Sequence, residues 1–296
     1  LSLYQATSFS YSGELVYAGA GIGFENQFKN LWGISFNWNA SFPSLETREL
    51  RGGPALRVNG RNEWAVHLHS NHAKDLSFNG GVHYTQVANE PSHTSLAHVQ
   101  INWHPISRMR ISPFVMYMDN RNEYQYIETL AQNNETQYLM GSLHQRTLEL
   151  TFRAELYFTP ELSLQFYGSP YYSIGHYSHF YLVADADARN NNDRYIPYTG
   201  DAINHPTPDN TYQFMGPDRS TLYEFDNPDF MFGQLRTNLV FRWEYKLGSV
   251  LHVVWSHNKT SDEHVYLPTL SDNFSSLNTT GGGHIFMLKL NYWLSL

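Results

Sequence analysis

Between Leu148 and Phe158 every second residue is apolar: Leu148, Leu150, Phe152, Ala154, Leu156 and Phe158. Thr147, Glu149, Thr151, Arg153 and Glu155 occupy the alternate phase. After Thr159-Pro160-Glu161 the pattern resumes, with Leu162, Leu164 and Phe166 against Ser163, Gln165 and Tyr167. The same period of two returns along the chain. Trp32, Ile34, Phe36 and Trp38 alternate with Gly33, Ser35 and Asn37; Trp64, Val66 and Leu68 with Ala65, His67 and His69. Ala97, Val99, Ile101 and Trp103 alternate with His98, Gln100 and Asn102; Leu239, Phe241, Trp243 and Tyr245 with Asn238, Arg242 and Glu244. A period of two puts successive side chains on opposite faces of a strand. No stretch carries a capped helical period, so the chain is expected to be all-β.

The connections between these strands fall into two kinds that take turns. Lys29-Asn30, Lys74-Asp75, Pro105–Arg108, Thr159–Glu161 and Lys246–Gly248 are short; Ser44–Asn62, Ala88–His93, Asp119–Gly141, Ser173–Gln234 and Ser256–Gly283 are longer. Loops sorted by side in this way are expected of a transmembrane barrel, with tight periplasmic turns and long extracellular loops. The expectation is a single transmembrane antiparallel up-and-down β-barrel domain over residues 1–296, with about 12 strands of roughly 9–14 residues. An even strand count puts both termini on the short-turn, periplasmic side. Residues 173–234 form a long extracellular segment, too long for a plain loop and expected to fold as a lid or drop into the lumen. A soluble β-sandwich is the competing reading, but it gives no reason to sort loops by side. The barrel also accounts for Glu149, Arg153 and Glu155: they face the lumen, where Arg236, Arg242 and Glu244 are expected to neutralise them, while the apolar stripe faces lipid.

Composition agrees. Of the 296 residues only 16% are charged and 16% are aromatic, against about 25% charged in ordinary soluble domains. There is no Cys, which removes disulfides and thiolate metal sites. A net charge of −8 without a basic block argues against nucleic acid as a partner. No apolar run reaches the length of a transmembrane helix. The chain starts at Leu1 without a signal-peptide pattern, which reads as a mature or truncated product. The last strand, ending at Leu296, is the amphipathic terminal strand expected to be read during outer-membrane insertion, with Leu in place of the commoner Phe.

Three stretches occur together in order: Leu50-Arg51-Gly52-Gly53-Pro54 within residues 47–64; the turn and Tyr/Gly-rich strand of residues 151–180; and Arg242-Trp243-Glu244-Tyr245 followed by Leu247-Gly248-Ser249. Together they resemble the C-terminal outer-membrane barrel of a Bacteroidetes family whose members carry an N-terminal domain similar to family-9 carbohydrate-binding modules. The resemblance covers roughly residues 45–296. It departs at Leu247, where the family usually has Pro. It implies a Bacteroidetes-type Gram-negative source, a link to glycan binding or uptake, and a longer parent protein whose barrel has further strands. It supplies no catalytic residues.

Candidate chemistry is sparse. Arg51 is a candidate ligand-binding guanidinium; the simpler reading is a loop tucked into the barrel on its Gly pair. Tyr171, Tyr172, Tyr177 and Tyr181, near the outer rim, are candidates for stacking a sugar. Asp185–Asp193 has oxygen ligands at spacings a Ca²⁺ loop uses, but lacks the turn Gly and the terminal Glu, so a solvated acidic loop is simpler. Trp38, Trp64, Trp103, Trp243 and Trp255 sit in the apolar phase and suit interfacial girdles. His67, His83 and His98 lie in the lumen phase of three consecutive strands at similar heights, with His69 alongside. They suit a Zn²⁺ or Cu²⁺ site or, more simply, a polar patch. No cofactor is expected, and no hydrolase or phosphate-loop motif is present. The expected function is a non-enzymatic surface receptor, scaffold or porin-like component. Its partners would be outer-membrane lipid, glycan and other outer-membrane or periplasmic subunits. The alternatives are an outer-membrane hydrolase with a rim site and a subunit of a larger envelope complex.

Overall fold

The computed structural model describes residues 1–132, 135–198, 203–204, 209–217, 221–263 and 269–294. In chain order its elements are β1 (Ser2–Phe9), β2 (Leu15–Gln27), β3 (Gly33–Ser41), β4 (Ser44–Glu46), β5 (Leu56–Val58), β6 (Arg61–His69), β7 (Leu76–Val87), β8 (His93–Ile106), β9 (Met109–Gln132) and β10 (Glu135–Thr159). They continue with β11 (Leu162–Val183), α1 (Asn191–Arg194), β12 (Tyr195–Tyr198), β13 (Ile203–Asn204), β14 (Thr211–Met215), β15 (Leu222–Asp226), β16 (Phe230–Lys246), β17 (Ser249–Glu263), α2 (Leu270–Thr279) and β18 (Gly283–Asn291).

One antiparallel sheet takes most of the chain, in the order β1-β2-β3-β6-β7-β8-β9-β10-β11-β16-β17-β18, with β12 added beside β11. These twelve path strands match the expected number. Each neighbour is the next long strand in sequence, the up-and-down order that short connections enforce. The small strands pair separately, as a β4–β5 hairpin and a β13-β14-β15 sheet.

Registry turns the alternation of single strands into continuous rows. Phe24, Phe36, Val66, Val82, Ala97 and Tyr117 are successive partners from β2 to β9. Leu156, Leu164, Phe241, Val253 and Leu288 continue the apolar face from β10 to β18. The side chains of this face are open: Val82 is 55% exposed, Phe152 42% and Leu288 71%. The opposite face carries rows of Ser, Thr, Asn, Gln and His.

Both ends of the path, Ser2 and Asn291, lie on the edge that carries the short turns 28–32, 70–75, 107–108, 160–161 and 247–248. The other edge carries 10–14, 42–60, 88–92, 184–229 and 264–282. The expected sorting by side holds, but not as a strict contrast in length. The connection 88–92 is no longer than 70–75, because β6 already ends at His69 and the turn expected at Lys74-Asp75 is six residues long.

The strands also differ from expectation in length. β9, β10 and β11 run for 24, 25 and 22 residues, well beyond the 9–11 that cross a bilayer. Asp119–Gly141, expected as a loop, is a β9–β10 hairpin whose registry reaches Gln132–Glu135. Likewise β11 continues to Val183 and β16 starts at Phe230, so the long segment begins later and ends earlier than 173–234. The sequence hid these extensions because distant parts of the chain pack on stretches of both their faces, so strict alternation is not required there. The ten-residue helix α2 was also unexpected. It holds its place through Phe274, whose ring lies 5.8 Å from that of Tyr172, and Leu277, which is 2% exposed. Leu296 lies outside the described residues.

Among the described residues β1 pairs only with β2, and β18 only with β17. The sheet is therefore open along these two edges, and every residue of both strands is exposed.

Candidate functional site

The polar face and the extended crown are the two regions where chemistry gathers. On the polar face, hydroxyls and amides bond across strands: Thr94 to Asn120 at 2.7 Å, Gln145 to Ser173 at 2.9 Å, Thr147 to Ser173 at 3.0 Å and Ser256 to Asn238 at 2.6 Å. Arg242 pairs with Glu244 at 2.9 Å. The expected neutralisation of Glu149, Arg153 and Glu155 by Arg236, Arg242 and Glu244 does not occur. Arg153 instead lies over the Tyr167 ring at 5.2 Å, and neither Glu149, Glu155 nor Arg236 makes an ion pair among the described residues. The reason is the strand order. β11 separates β10 from β16, so the two sets of charges stand two strand spacings apart, about 10 Å. Arg153 and Glu155 line a shallow recess of about 220 Å³ with Gln165, Tyr167 and Asn238.

The three histidines do come together. The ring centroids of His67 and His83 are 4.7 Å apart, those of His67 and His98 5.6 Å, and those of His83 and His98 5.8 Å. His69 is not part of this group and stacks instead on His72 at 5.3 Å. Among the described residues no three His, Asp or Glu side chains are posed to hold a metal ion as they stand.

The crown is held by two apolar clusters. One joins Leu130 and Leu139 of the β9–β10 hairpin to Phe180, Leu182, Tyr198, Phe214, Tyr223 and Phe225. The other seats Leu50 and Leu56, each 1% exposed, against Met140 and Tyr195. The Arg51 loop therefore docks on the β9–β10 hairpin. The Arg51 guanidinium lies over the Tyr126 ring at 5.1 Å, and a side chain at Gly53 would run into the Tyr138 ring. Arg57 pairs with Asp187, and Asn59 bonds to Glu90 at 3.0 Å and Asn191 at 3.1 Å, which ties three connections together. Burial pushes the Glu90 carboxyl up.

Of the four rim tyrosines, Tyr172 is 3% exposed beneath α2. Tyr181 lies among Tyr124 and Tyr195 and donates to Glu123 at 2.5 Å. Tyr177 packs against the first apolar cluster, and burial raises its hydroxyl to about 12. Tyr171 is half-buried, with its ring 6.0 Å from that of Phe232. The four are not brought together as one platform. In Asp185–Asp193 the carbonyls of Ala188 and Arg189 accept from the buried Arg194 guanidinium at 2.8 and 3.3 Å, and Asp187 pairs with Arg57. Those oxygens already have a cation.

Sequence reasoning missed two imidazole–carboxylate pairs at the base of the crown. His144 lies 3.0 Å from Asp119, and His176 lies 2.8 Å from Asp229, which also accepts from the Tyr177 amide at 2.6 Å. His144 and His176 are cross-strand partners. The Asp119 pair crosses β9 to β10, whereas Asp229 comes back from the far end of a long connection, which no local spacing announces.

A family model described as "Domain of unknown function (DUF5916)" matches residues 3–296. No curated protein matches the chain. Among solved structures the chain is similar to the crystal structure of the siderophore receptor PiuA from Acinetobacter baumannii, at 9% identity and a TM-score of 0.49. That match covers 97% of this chain and 46% of the receptor's, so the chain spans less than half the receptor's length.

Proposed function

The chain belongs to the DUF5916 family, and on that footing we propose that it forms the wall of an outer-membrane β-barrel working at the cell surface as a receptor or scaffold. In this reading the polar face turns to the lumen, the crown turns outward, and both ends of the sheet path are periplasmic. The observation that carries it is the apolar face. Rows of Val, Leu and Phe run across the long strands with nothing covering them among the described residues, and Trp lies toward both ends of the band. Trp64, in the upper part of β6, stacks on Tyr84 at 5.8 Å; Trp103 and Trp243, near the short turns, are each 45% exposed. Apolar surface costs about 25 cal/mol per Å² in water, a cost that hydrocarbon removes.

The folded crown supports a receptor or scaffold over a plain pore, since it presents ordered surface on one side only. The link to glycans rests on the family resemblance described above. The reading includes no catalytic step. A wall in lipid leaves no strand edge unpaired, so β1 and β18 are joined in the membrane, to each other or to further strands.

The test uses the absence of cysteine. Tyr11→Cys stands on the crown side and Leu247→Cys on the short-turn side; both positions are open, at 114% and 88% exposure. In intact cells a membrane-impermeant maleimide should label the first variant and not the second. Recovery of the protein in the soluble fraction, or the reverse labelling, overturns the reading.

A further inference from the structure

We propose that His67, His83 and His98 form a binding site for a first-row transition ion that favours imidazole, Zn²⁺ or Cu²⁺, on the polar face of the sheet. The inference rests on the fold and not on the receptor reading.

Three features of the site point the same way. The first is an opening made by a glycine. His67, Gly81 and His98 are successive partners in one row across β6, β7 and β8. β6 and β8 are two spacings apart, about 10 Å, yet the two rings approach to 5.6 Å between centroids. They meet over the place where β7 has no side chain. A Cβ at Gly81 would lie 2.5 Å from His67 Nδ1. His83, two residues along β7 and so on the same face, closes the triangle from above.

The second is the size of that triangle. Metal–nitrogen bonds to imidazole are about 2.0–2.1 Å, which puts a bound ring's centroid about 3.2 Å from the ion and two such centroids, at tetrahedral angles, about 5 Å apart. The observed separations are 4.7, 5.6 and 5.8 Å. The rings are at the right distances, but their nitrogens are not yet posed around one point. Rotation about each Cβ–Cγ bond swings the nitrogens while leaving the centroid almost in place, so closing the site needs side-chain rotation and no movement of the sheet.

The third is the donor set. Three neutral imidazoles suit Zn²⁺ or Cu²⁺ and leave a coordination position open to water or a lumen ligand. Met116, across from His98 on β9, adds a soft sulfur beside the site and no competing charge. Hard ions such as Ca²⁺ and Mg²⁺ prefer oxygen and are not expected to bind.

The full chain, purified in detergent without a polyhistidine tag and stripped with chelator, is titrated with Zn²⁺, Cu²⁺ and Co²⁺. The expected result is one Zn²⁺ or Cu²⁺ per chain, and an intense visible Co²⁺ spectrum of the tetrahedral type. His67→Ala, His83→Ala and His98→Ala should each weaken binding by an order of magnitude or more, while His252→Ala leaves it unchanged. Gly81→Val, which keeps all three histidines but fills the opening, should abolish binding. Heat-shifted gel mobility reports whether each variant still folds. If Gly81→Val does not, His83→Asn tests the triangle with a smaller change. A parent protein that binds no more tightly than the triple-alanine variant, a weak octahedral Co²⁺ spectrum, or undiminished binding in folded Gly81→Val overturns the proposal.

Discussion

Phe152 and Arg153 are neighbours on β10 and face opposite sides of the sheet. Phe152 stands across from Gly168 with its ring 42% exposed, while the Arg153 guanidinium lies over Tyr167 at 5.2 Å. A wall that separates hydrocarbon from lumen makes these positions unequal. Phe152→Arg should impair insertion, because Arg near the midplane of a barrel's lipid face costs about 2–4 kcal/mol. Thr151→Arg, on the polar face where Thr151 meets Ser169 at 3.2 Å, should assemble nearly as well as the parent. Heat-shifted gel mobility of the membrane fraction measures both. Equal assembly of the two variants would sink the assignment of faces.

The loop that carries Arg51 is expected to depend on its leucines more than on its charge. Leu50 is 1% exposed in the cluster with Leu56, Met140 and Tyr195. Leu50→Ala should loosen the loop's seat by about 2–5 kcal/mol through the cavity it leaves. Limited proteolysis should then cut within residues 42–60 much faster than in the parent, with gel mobility of the sheet unchanged. Arg51→Ala, which removes the Tyr126 ring contact and a charge near Glu49 and Tyr177, should have a smaller effect, about 0.5–1 kcal/mol.

Arg194 is a buried cation that the backbone carbonyls of Asp185–Asp193 hold. It is 1% exposed and donates to Ala188 and Arg189 carbonyls. Arg194→Met should destabilise this segment by about 1–3 kcal/mol for each acceptor left unsatisfied. Chelation with EGTA should leave the parent's crown unchanged in protease resistance. A crown that opens on chelation would reverse this assignment.

The His176–Asp229 contact gives the crown a pH dependence. The hydrogen bond to Asp229 raises the imidazole above its usual value, with burial opposing it and the carboxylate charge adding to it. A folded-state value raised above the unfolded one means stabilisation that is fully present below the unfolded pKa of about 6.5. It is lost as pH rises through the raised value. Proteolysis within 184–229 should therefore be slower at pH 6 than at pH 8.5, after correction for protease activity. In His176→Gln the difference should largely disappear, and its persistence would assign the effect to other groups.

Alternation alone determined the faces, the antiparallel order and the side of the sheet on which the chain turns. A strand whose two faces meet different media must alternate, and short turns between such strands leave only neighbours to pair with. It even placed His67, His83 and His98 on one patch, because phase and height are both countable along successive strands. The tertiary structure decided what counting within strands cannot reach. The β9–β10 hairpin reads as a loop because Leu50 and Leu56 cover one face and Phe214 and Phe225 the other. With apolar cover over part of both faces, the two-residue period is no longer imposed. Arg153 was assigned to the right face but the wrong partner, because which residue stands opposite it depends on the strand inserted between β10 and β16. Tyr172 counted as a rim residue until α2, more than ninety positions later in the chain, proved to cover it. Phase is a local property of the chain. Coverage is a property of whatever distant segment comes to lie on top, and it requires the fold.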